Sequence, residues 1–192
     1  MQRSFTLSVC AVAMICAGSA AADSSHLKGT YGFTGTDACL SASAGFNASL
    51  QPLGTTFSSS GASEGVRTFN GDGTGTVTIS TMMITVPPTF GFMPHASSSE
   101  SSASFTYTVS DDTFTLQNVP GTDVGNVLAG PRAGQTFKLE DVPEATGLIS
   151  ANSRTLTTSI LTPGVETITY SNGDVEHRIC HRSRVYIKLD AD

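Results

Sequence analysis

Polar and apolar residues alternate one by one in many short segments of this 192-residue chain. A period of two places successive side chains on opposite faces of a β-strand, so that one face packs inward and the other meets water. The same segments are rich in Thr, Val, Ile and aromatic residues, which strands favour. They are residues 76–80, 104–109, 113–116, 136–139, 155–160, 175–179 and 185–189.

Turn residues separate these segments at short intervals. Asn172-Gly173 is the strongest hairpin signal, because both central positions of a type I′ turn need a positive φ. Residues 70–73 and 111–112 predict two more tight turns. Consecutive hairpins make neighbours in sequence neighbours in the sheet, and closure removes its exposed edges. The sequence therefore predicts an all-β fold, an antiparallel up-and-down meander closing into a barrel of about 8–12 strands, with almost no helix.

The first 22 residues have the order of a secretory signal. Arg3 precedes an apolar stretch at residues 5–15, and Ala20-Ala21-Ala22 ends the segment. The stretch is shorter than the roughly 20 apolar residues of a membrane span. We expect a signal peptide at residues 1–22 and a single barrel domain at residues 23–192, exported to the periplasm or the extracellular space. No membrane span is expected in the mature protein.

Charge and composition exclude several classes of function. The net charge is −6 and charged residues make up 14% of the chain, whereas ordinary domains carry about 25%. An acidic chain without a basic stripe does not predict binding to nucleic acid. Met82, Met83, Met93 and His95 contain ligand types that copper accepts, but no Met or His repeat supports a metal site. No cofactor is expected.

Two cysteines remain after the predicted signal peptide. Cys39 and Cys180 have only each other as partners in an oxidising compartment, so a disulfide is expected between them. We expect turns at residues 35–37 and 181–183, which place this disulfide at an end of the barrel closed by short turns. Residues 41–64, 87–102 and 118–134 lack the strand pattern and predict three long loops. Even numbers of strands separate these loops, so all three are expected at the opposite, open end.

The candidate site lies in these loops. Three large apolar side chains and a histidine stand in the middle loop, although surface connections are normally polar. One interpretation is a plug that folds back over the barrel core. The other is the mouth of an apolar pocket shared with the first and third loops. The candidate ligand-binding residues are Phe46, Phe57, Phe90, Phe92, Met93, His95 and Leu128.

The last strands carry a second cluster of charged residues. The pattern places His177 on the inward face, and it predicts a solvated face with cross-strand ion pairs for the charged residues between. An anion-binding patch is the alternative interpretation of this face. Its members are Glu176, Arg178, Arg182 and Arg184.

The start of the predicted mature domain resembles a known family. Leu27-Lys28-Gly29-Thr30-Tyr31 resembles the Gly-x-Trp signature on the first strand of lipocalins and related calycin barrels, with Tyr31 in the place of the Trp. Arg182 or Arg184 corresponds to the late Arg that stacks on this residue in the family. The resemblance implies an up-and-down barrel that binds a small apolar ligand at its open mouth.

Three functions follow as expectations. The first is a lipocalin-like exported barrel that binds a small apolar ligand at the end formed by the three loops. The second is a structural or adhesive module of a cell envelope without a pocket. The third is a barrel enzyme, such as a cyclase or isomerase, with His95 or His177 as proton carrier. An enclosed cavity of a few hundred cubic ångströms would favour ligand binding. The sequence leaves the oligomeric state open.

Overall fold

The computed structural model describes residues 27–87 and 93–189, and every regular element in them is a β-strand. Eleven strands form one antiparallel sheet, which confirms the all-β class and the expected number of strands. No helix in these two ranges is long and apolar enough to cross a membrane. The strands are β1 (Lys28–Ala42), β2 (Thr56–Asn70), β3 (Thr74–Val86), β4 (His95–Ser110), β5 (Thr113–Asn118), β6 (Val124–Ala129), β7 (Thr136–Glu140), β8 (Ala145–Ile149), β9 (Thr155–Ser159), β10 (Val165–Tyr170) and β11 (Val175–Lys188).

The sheet closes into a barrel because β1 pairs with both β2 and β11. The strands β1 to β4 and β11 are long, whereas β5 to β10 have only five or six residues each. The long strands form a closed ring of eight with β5, β8 and β9, which we call the lower tier. They form a second ring of eight with β6, β7 and β10, the upper tier. The two tiers branch from opposite halves of β4 and β11.

The long loops expected from the sequence are largely strands. Residues 56–64 lie in β2, residues 95–102 lie in β4, and β6 occupies the middle of the third expected loop. The prediction of loops at these positions is wrong, because strands built from Ser, Gly and Ala show no alternation of apolar and polar residues. The Ser-rich segments are therefore part of the barrel wall.

Most of the connections lie at the two ends of the barrel, whereas residues 119–123, 141–144 and 160–164 join the two tiers between those ends. Residues 43–55 and 130–135 connect strands at one end, which we call the loop end, and β3 also ends there. Residues 71–73, 111–112 and 150–154 make tight connections at the opposite hairpin end. Residues 43–55 and 130–134 lie at the same end, as expected for the first and third predicted loops. Residues 119–123, also part of the third predicted loop, lie between the tiers, so the expectation that all three loops share one end is wrong for them.

The disulfide between Cys39 and Cys180 is present, and its two residues are direct neighbours across β1 and β11. Its expected position is wrong. Residues 35–37 and 181–183 are continuous parts of these two strands and form no turns. Cys39 lies near the last residue of β1, at the loop end. The bond therefore joins the first and last strands in the half of the barrel that carries the loops.

Aromatic side chains fill the half of the barrel nearest the hairpin end. Phe69 lies at the centre, with the rings of Tyr31, Phe105, Tyr107 and Phe114 between 5.1 and 6.1 Å away and close to perpendicular to it. Edge-to-face arrangements of this kind add to the free energy gained from burying the rings. This half of the interior is a solid core.

Four phenylalanine rings lie directly over glycines of the neighbouring strand. A Cβ atom added to any of these glycines would come within 2.8 Å of a ring carbon, so only glycine leaves room for the ring. The pairs, each in direct cross-strand register, are Phe33 with Gly65, Phe105 with Gly75, Phe137 with Gly125, and Phe114 with Gly147.

Candidate functional site

A cavity of about 590 Å³ lies between the aromatic core and the loop end. Small inward side chains create it. Ser59 faces inward on β2, and Ser97, Ser99 and Ser101 face inward on β4. The corresponding positions nearer the hairpin end of these strands carry Phe and Tyr, which fill the space there.

The lining of the cavity is mixed. Most of its hydroxyl groups belong to β2, β3 and β4, which also present apolar side chains such as Ile79 and Met83. The upper tier presents mainly apolar side chains, among them Val127, Phe137, Leu139 and Ile168. A molecule in this cavity therefore meets both hydrogen-bonding groups and apolar surface.

Five charged residues form an ionic layer at the inner end of the cavity. Arg182 is its centre: its guanidinium makes two hydrogen bonds to the carboxylate of Glu166, one of them 2.7 Å long from Nη2 to Oε2. Its Nε lies 3.0 Å from Oδ1 of Asp37. Arg178 contacts Glu166 at 3.1 Å, and Arg184 contacts Asp37 at 3.6 Å. The three arginines of β11 thus have carboxylate partners from β1 and β10.

The ionic layer holds Glu166 in its charged form. The side chain is 0% exposed, and burial alone would raise its pKa, but the charges and hydrogen bonds of Arg182 and Arg178 outweigh burial and lower the pKa to about 2. The same pairing raises the pKa of Arg182, against the effect of its burial. Removing one member of such a cluster leaves a buried charge without compensation.

Arg67 differs from the arginines of the ionic layer. It faces inward on β2, is only 4% exposed, and lines the cavity. Its guanidinium carbon lies 4.5 Å from the ring centre of Phe105 and 5.7 Å from that of Tyr186. Among the described residues it has no carboxylate in ion-pair distance, and its buried Nε has no hydrogen-bond partner. Burial lowers the pKa of this guanidinium.

Asp123 is a buried carboxylate in the connection between β5 and β6, and it lines the cavity. Its Oδ2 accepts a hydrogen bond of 2.9 Å from Asn118, whereas its buried Oδ1 has no partner within the described residues. Burial raises the pKa of Asp123 to about 6, more than the nearby Arg182 lowers it. This carboxyl group changes its charge close to neutral pH.

A second cluster of polar side chains, around Glu176 and Tyr170, lies nearer the loop end. Glu176 accepts hydrogen bonds from Ser41 at 2.8 Å and from the hydroxyl of Tyr170 at 3.2 Å. Burial and the charge of Glu176 raise the pKa of Tyr170 to about 12. Arg132 stacks on the Tyr170 ring at 4.2 Å and pairs with Asp174 at 3.3 Å. These contacts fix side chains at the entrance to the cavity.

The structure brings two of the candidate ligand-binding residues to the cavity. Phe57 and His95 belong to its lining. Phe46 lies in the connection between β1 and β2, where it pairs with Pro52. Leu128 faces outward on β6 and is 54% exposed, and Met93 is 83% exposed. The candidates Phe90 and Phe92 lie outside the described residues.

The prediction of a solvated charged face on the last strand is wrong. The charged side chains of β11 point into the barrel, whereas its apolar residues Val175, Val185 and Ile187 are exposed on the outside, the last at 61%. His177 also points away from the cavity, and its Nδ1 lies 3.3 Å from the hydroxyl of Thr167. Cys180 could have shown which face points inward. It forms the disulfide inside the barrel, and it shares its face of β11 with the arginines.

The arginines named in the resemblance have other partners in the barrel. Arg182 belongs to the ionic layer, and the guanidinium of Arg184 lies 5.2 Å from the ring centre of Phe33. Tyr31 itself is fully buried, and its hydroxyl donates a hydrogen bond to the carbonyl of Ser153 at 2.7 Å.

Sequence reasoning missed Arg67, Asp123 and Glu166 as parts of the site. Nothing in their local sequence distinguishes them from surface residues, because their burial results from the barrel closing around them. Within residues 27–87 and 93–189, no three His, Cys, Asp or Glu side chains are grouped so that they could hold a metal ion. No protein-family model matches the sequence, and no curated protein matches it significantly.

Proposed function

We propose that the protein binds a small organic molecule in the half of the barrel that opens toward the loop end. The cavity of about 590 Å³ carries this proposal. Pockets for small ligands typically measure about 300–1,000 Å³. The aromatic core closes the other half, so a ligand would enter from the loop end. A structural or adhesive module needs no such space, which favours ligand binding over that alternative.

The sequence led to the expectation of an apolar ligand. We broaden this proposal to a molecule with both apolar and hydrogen-bonding parts. The apolar side chains of the upper tier support the first part, and the hydroxyl groups of β2, β3 and β4 with the charged groups beneath them support the second. A purely apolar ligand would leave these polar groups without water or a partner, at a cost in free energy.

Export remains part of the proposal. The disulfide between Cys39 and Cys180 supports it, because disulfides persist in oxidising compartments and are rare in reducing ones. The periplasm and the extracellular space both meet this condition.

A cavity-filling substitution tests the proposed function. Ser59→Phe places a large ring at an inward position, and Ser60→Phe makes the same change on the exposed face of the same strand. We expect the mature wild-type protein to bind the fluorescent probe 1-anilinonaphthalene-8-sulfonate, and Ser59→Phe to weaken this binding at least about tenfold. Ser60→Phe should bind the probe like the wild type. Near-ultraviolet circular dichroism checks that all three proteins are folded.

Two results would contradict ligand binding in the cavity. One is equal affinity of the probe for both variants. The other is native mass spectrometry of protein purified from its source in which no small molecule accompanies the chain at any stage. A carried molecule would identify the ligand directly.

Asp123 favours a second candidate function, an isomerase or cyclase that moves a proton in this cavity. A general acid or base works best when its pKa lies near the working pH, and the pKa of Asp123 is raised to about 6. Of the two histidines considered as proton carriers, His95 lines the cavity and His177 does not. The test is nuclear magnetic resonance of the carried molecule mixed with wild-type protein or Asp123→Asn. Chemical conversion that depends on Asp123 would support an enzyme, and an unchanged molecule would exclude this candidate.

A further inference from the structure

Arg67 places a full positive charge at the inner end of the cavity without a counter-ion among the described residues. An isolated buried charge is costly, and proteins normally pair such groups. The neighbouring arginines show the usual solution, since Arg178, Arg182 and Arg184 all contact carboxylates. A bound anion would give Arg67 the partner that this chain does not supply.

The carboxylates in and beside the inner end of the cavity do not fill this role. Asp37 is held by Arg182 and Arg184 through the same oxygen atom. The charge of Asp123 acts on Arg67 from a distance, but its hydrogen bond goes to Asn118 and it forms no ion pair. Glu166 is occupied by the arginines of β11.

The contacts of Arg67 suit a carboxylate ligand. Its guanidinium carbon lies 4.5 Å from the ring centre of Phe105, which limits the motion of the side chain, and its buried Nε has no hydrogen-bond partner among the described residues. A guanidinium edge presents parallel N–H groups that match the two oxygens of a carboxylate. An arginine held in this way binds a planar carboxylate better than a freely rotating side chain would, because less conformational entropy is lost.

The hydroxyl groups above Arg67 indicate the rest of the ligand. They belong to inward residues of β2, β3 and β4, and none of them has a side-chain hydrogen bond to another described residue. A hydroxyl can both donate and accept, so a row of them complements a ligand that itself carries several hydroxyls. The residues are Ser59, Thr81, Ser97, Ser99 and Ser101.

We propose that the cavity takes a small hydroxylated carboxylate of the sugar-acid class, with its carboxylate on Arg67 and its hydroxyls against the serine side of the wall. This inference rests on the proposed function and specifies the ligand of the same site. The ligand enters with its carboxylate first, because Arg67 lies at the inner end of the cavity and the loop end is open.

Isothermal titration calorimetry with three probes tests the ligand class. D-Gluconate has both features, D-glucitol has the hydroxyls without the carboxylate, and hexanoate has the carboxylate without the hydroxyls. We expect D-gluconate to bind the wild-type protein at least about tenfold more tightly than either comparison compound. Equal affinity for D-gluconate and D-glucitol, or no binding of D-gluconate at millimolar concentration, would overturn the inference.

Substitutions test the role of Arg67. Arg67→Met should weaken D-gluconate binding at least about tenfold, whereas Arg67→Lys should retain part of the affinity. Arg154→Met removes the same charge from an exposed turn at the hairpin end and should leave binding unchanged. We expect Arg67→Met to fold with a Tm at or above that of the wild type, because Met replaces an isolated charge among aromatic rings. Wild-type affinity in folded Arg67→Met would refute the role of Arg67.

The two proposals fail in different ways. If D-gluconate does not bind but Ser59→Phe still weakens binding of the fluorescent probe, the ligand class is wrong and the binding cavity stands. If Ser59→Phe and Ser60→Phe bind the probe equally, the proposed function itself fails. Should Arg67→Met not fold, the comparison of D-gluconate with D-glucitol on the wild-type protein still decides the ligand class.

Discussion

Two buried acidic residues of the barrel respond to their surroundings in opposite ways. Glu166 faces three hydrogen-bond donors of Arg178 and Arg182, and its pKa falls to about 2. Asp123 has one amide donor and a buried oxygen without a partner, and its pKa rises to about 6. The number of positive partners, more than the depth of burial, decides the direction in which the pKa of each group shifts.

This contrast predicts the pH dependence of folding. The pKa of Asp123 is higher in the folded chain, so its contribution to stability is lost as the pH rises from about 4 to about 6. Glu166 acts in the opposite direction: its contribution is complete above about 4.5 and is lost as the pH falls toward 2. A pKa shift of about two units corresponds to a change of up to about 3 kcal/mol in the free energy of unfolding.

We therefore expect the free energy of unfolding of Asp123→Asn, relative to that of the wild type, to be higher at pH 7.5 than at pH 4 by about 1–3 kcal/mol. Urea unfolding at both pH values measures this difference. Asp112→Asn, in an exposed turn, is the matched control. A difference between Asp123→Asn and wild type that is the same at both pH values would contradict the raised pKa.

The charged residues on the last strand show where prediction from sequence fails at this scale. Alternation identified the strand and divided its residues correctly into two faces. It assigned the faces the wrong way round, because apolar residues usually point inward, and here Val185 and Ile187 point outward while Arg178 and Arg182 point inward. Periodicity divides the residues of a strand between its two faces, but it does not say which face points into the barrel. On β11 the buried disulfide partner Cys180 identifies the inward face.

At the scale of the strand, the recurrent device is a glycine covered by a phenylalanine from the neighbouring strand. The glycine leaves space above the sheet, and the ring fills it without pushing the strands apart. Large rings can then be packed within a tier that is a ring of only eight strands. Glycine within strands is otherwise unfavourable, and the packing of the ring offsets that cost.

Gly75→Ala tests this arrangement. The new Cβ would lie 2.3 Å from a ring carbon of Phe105 and from the carbonyl oxygen of Thr68, so the ring or the strand must move. We expect a loss of about 1–3 kcal/mol in the free energy of unfolding, measured by urea titration. Thr76→Ala, the next residue on the exposed face of β3, is the control and should change stability by less than about 0.5 kcal/mol. Equal effects would show that the ring yields without cost.

The same glycines and serines explain why some strands were predicted as loops. Residues 58–64 and 97–102 consist mainly of Ser, Gly, Ala and Glu; Gly and Ser are common in turns, and Gly, Ala and Glu are depleted in strands. Their pairing with β3, and with β1 or β6, makes them strands, and this long-range term is absent from the local sequence. Segments with stronger alternation, such as residues 104–109, were predicted correctly.

At the scale of the whole molecule, the barrel depends on one closing strand pair. β1 and β11 lie at opposite ends of the described chain and share twelve register positions. The disulfide joins these two strands directly, so it stabilises the strand pair whose residues are farthest apart in sequence. Barrel class, strand number and this bond were all predicted from the sequence, because they follow from periodicity, turn chemistry and the count of cysteines.

Replacing both cysteines with alanine should therefore destabilise the barrel strongly. The chain-entropy model gives a loop of 141 residues an upper value of about 5 kcal/mol. Urea unfolding of the double variant Cys39→Ala/Cys180→Ala measures the loss against the oxidised wild type. Adding reductant should lower the unfolding midpoint of the wild type and leave that of the variant unchanged. A midpoint shared by the oxidised wild type and the variant would contradict a role in closure.

The two tiers give the halves of the barrel separate tasks. The half at the hairpin end contains the rings that hold the fold together, and the half at the loop end contains small side chains around open space. Substitutions among the inward serines therefore change the shape of the cavity without removing core contacts. If the cavity binds a ligand as proposed, a chain built in this way offers a scaffold in which new specificities could be selected by varying a few positions on β2 and β4.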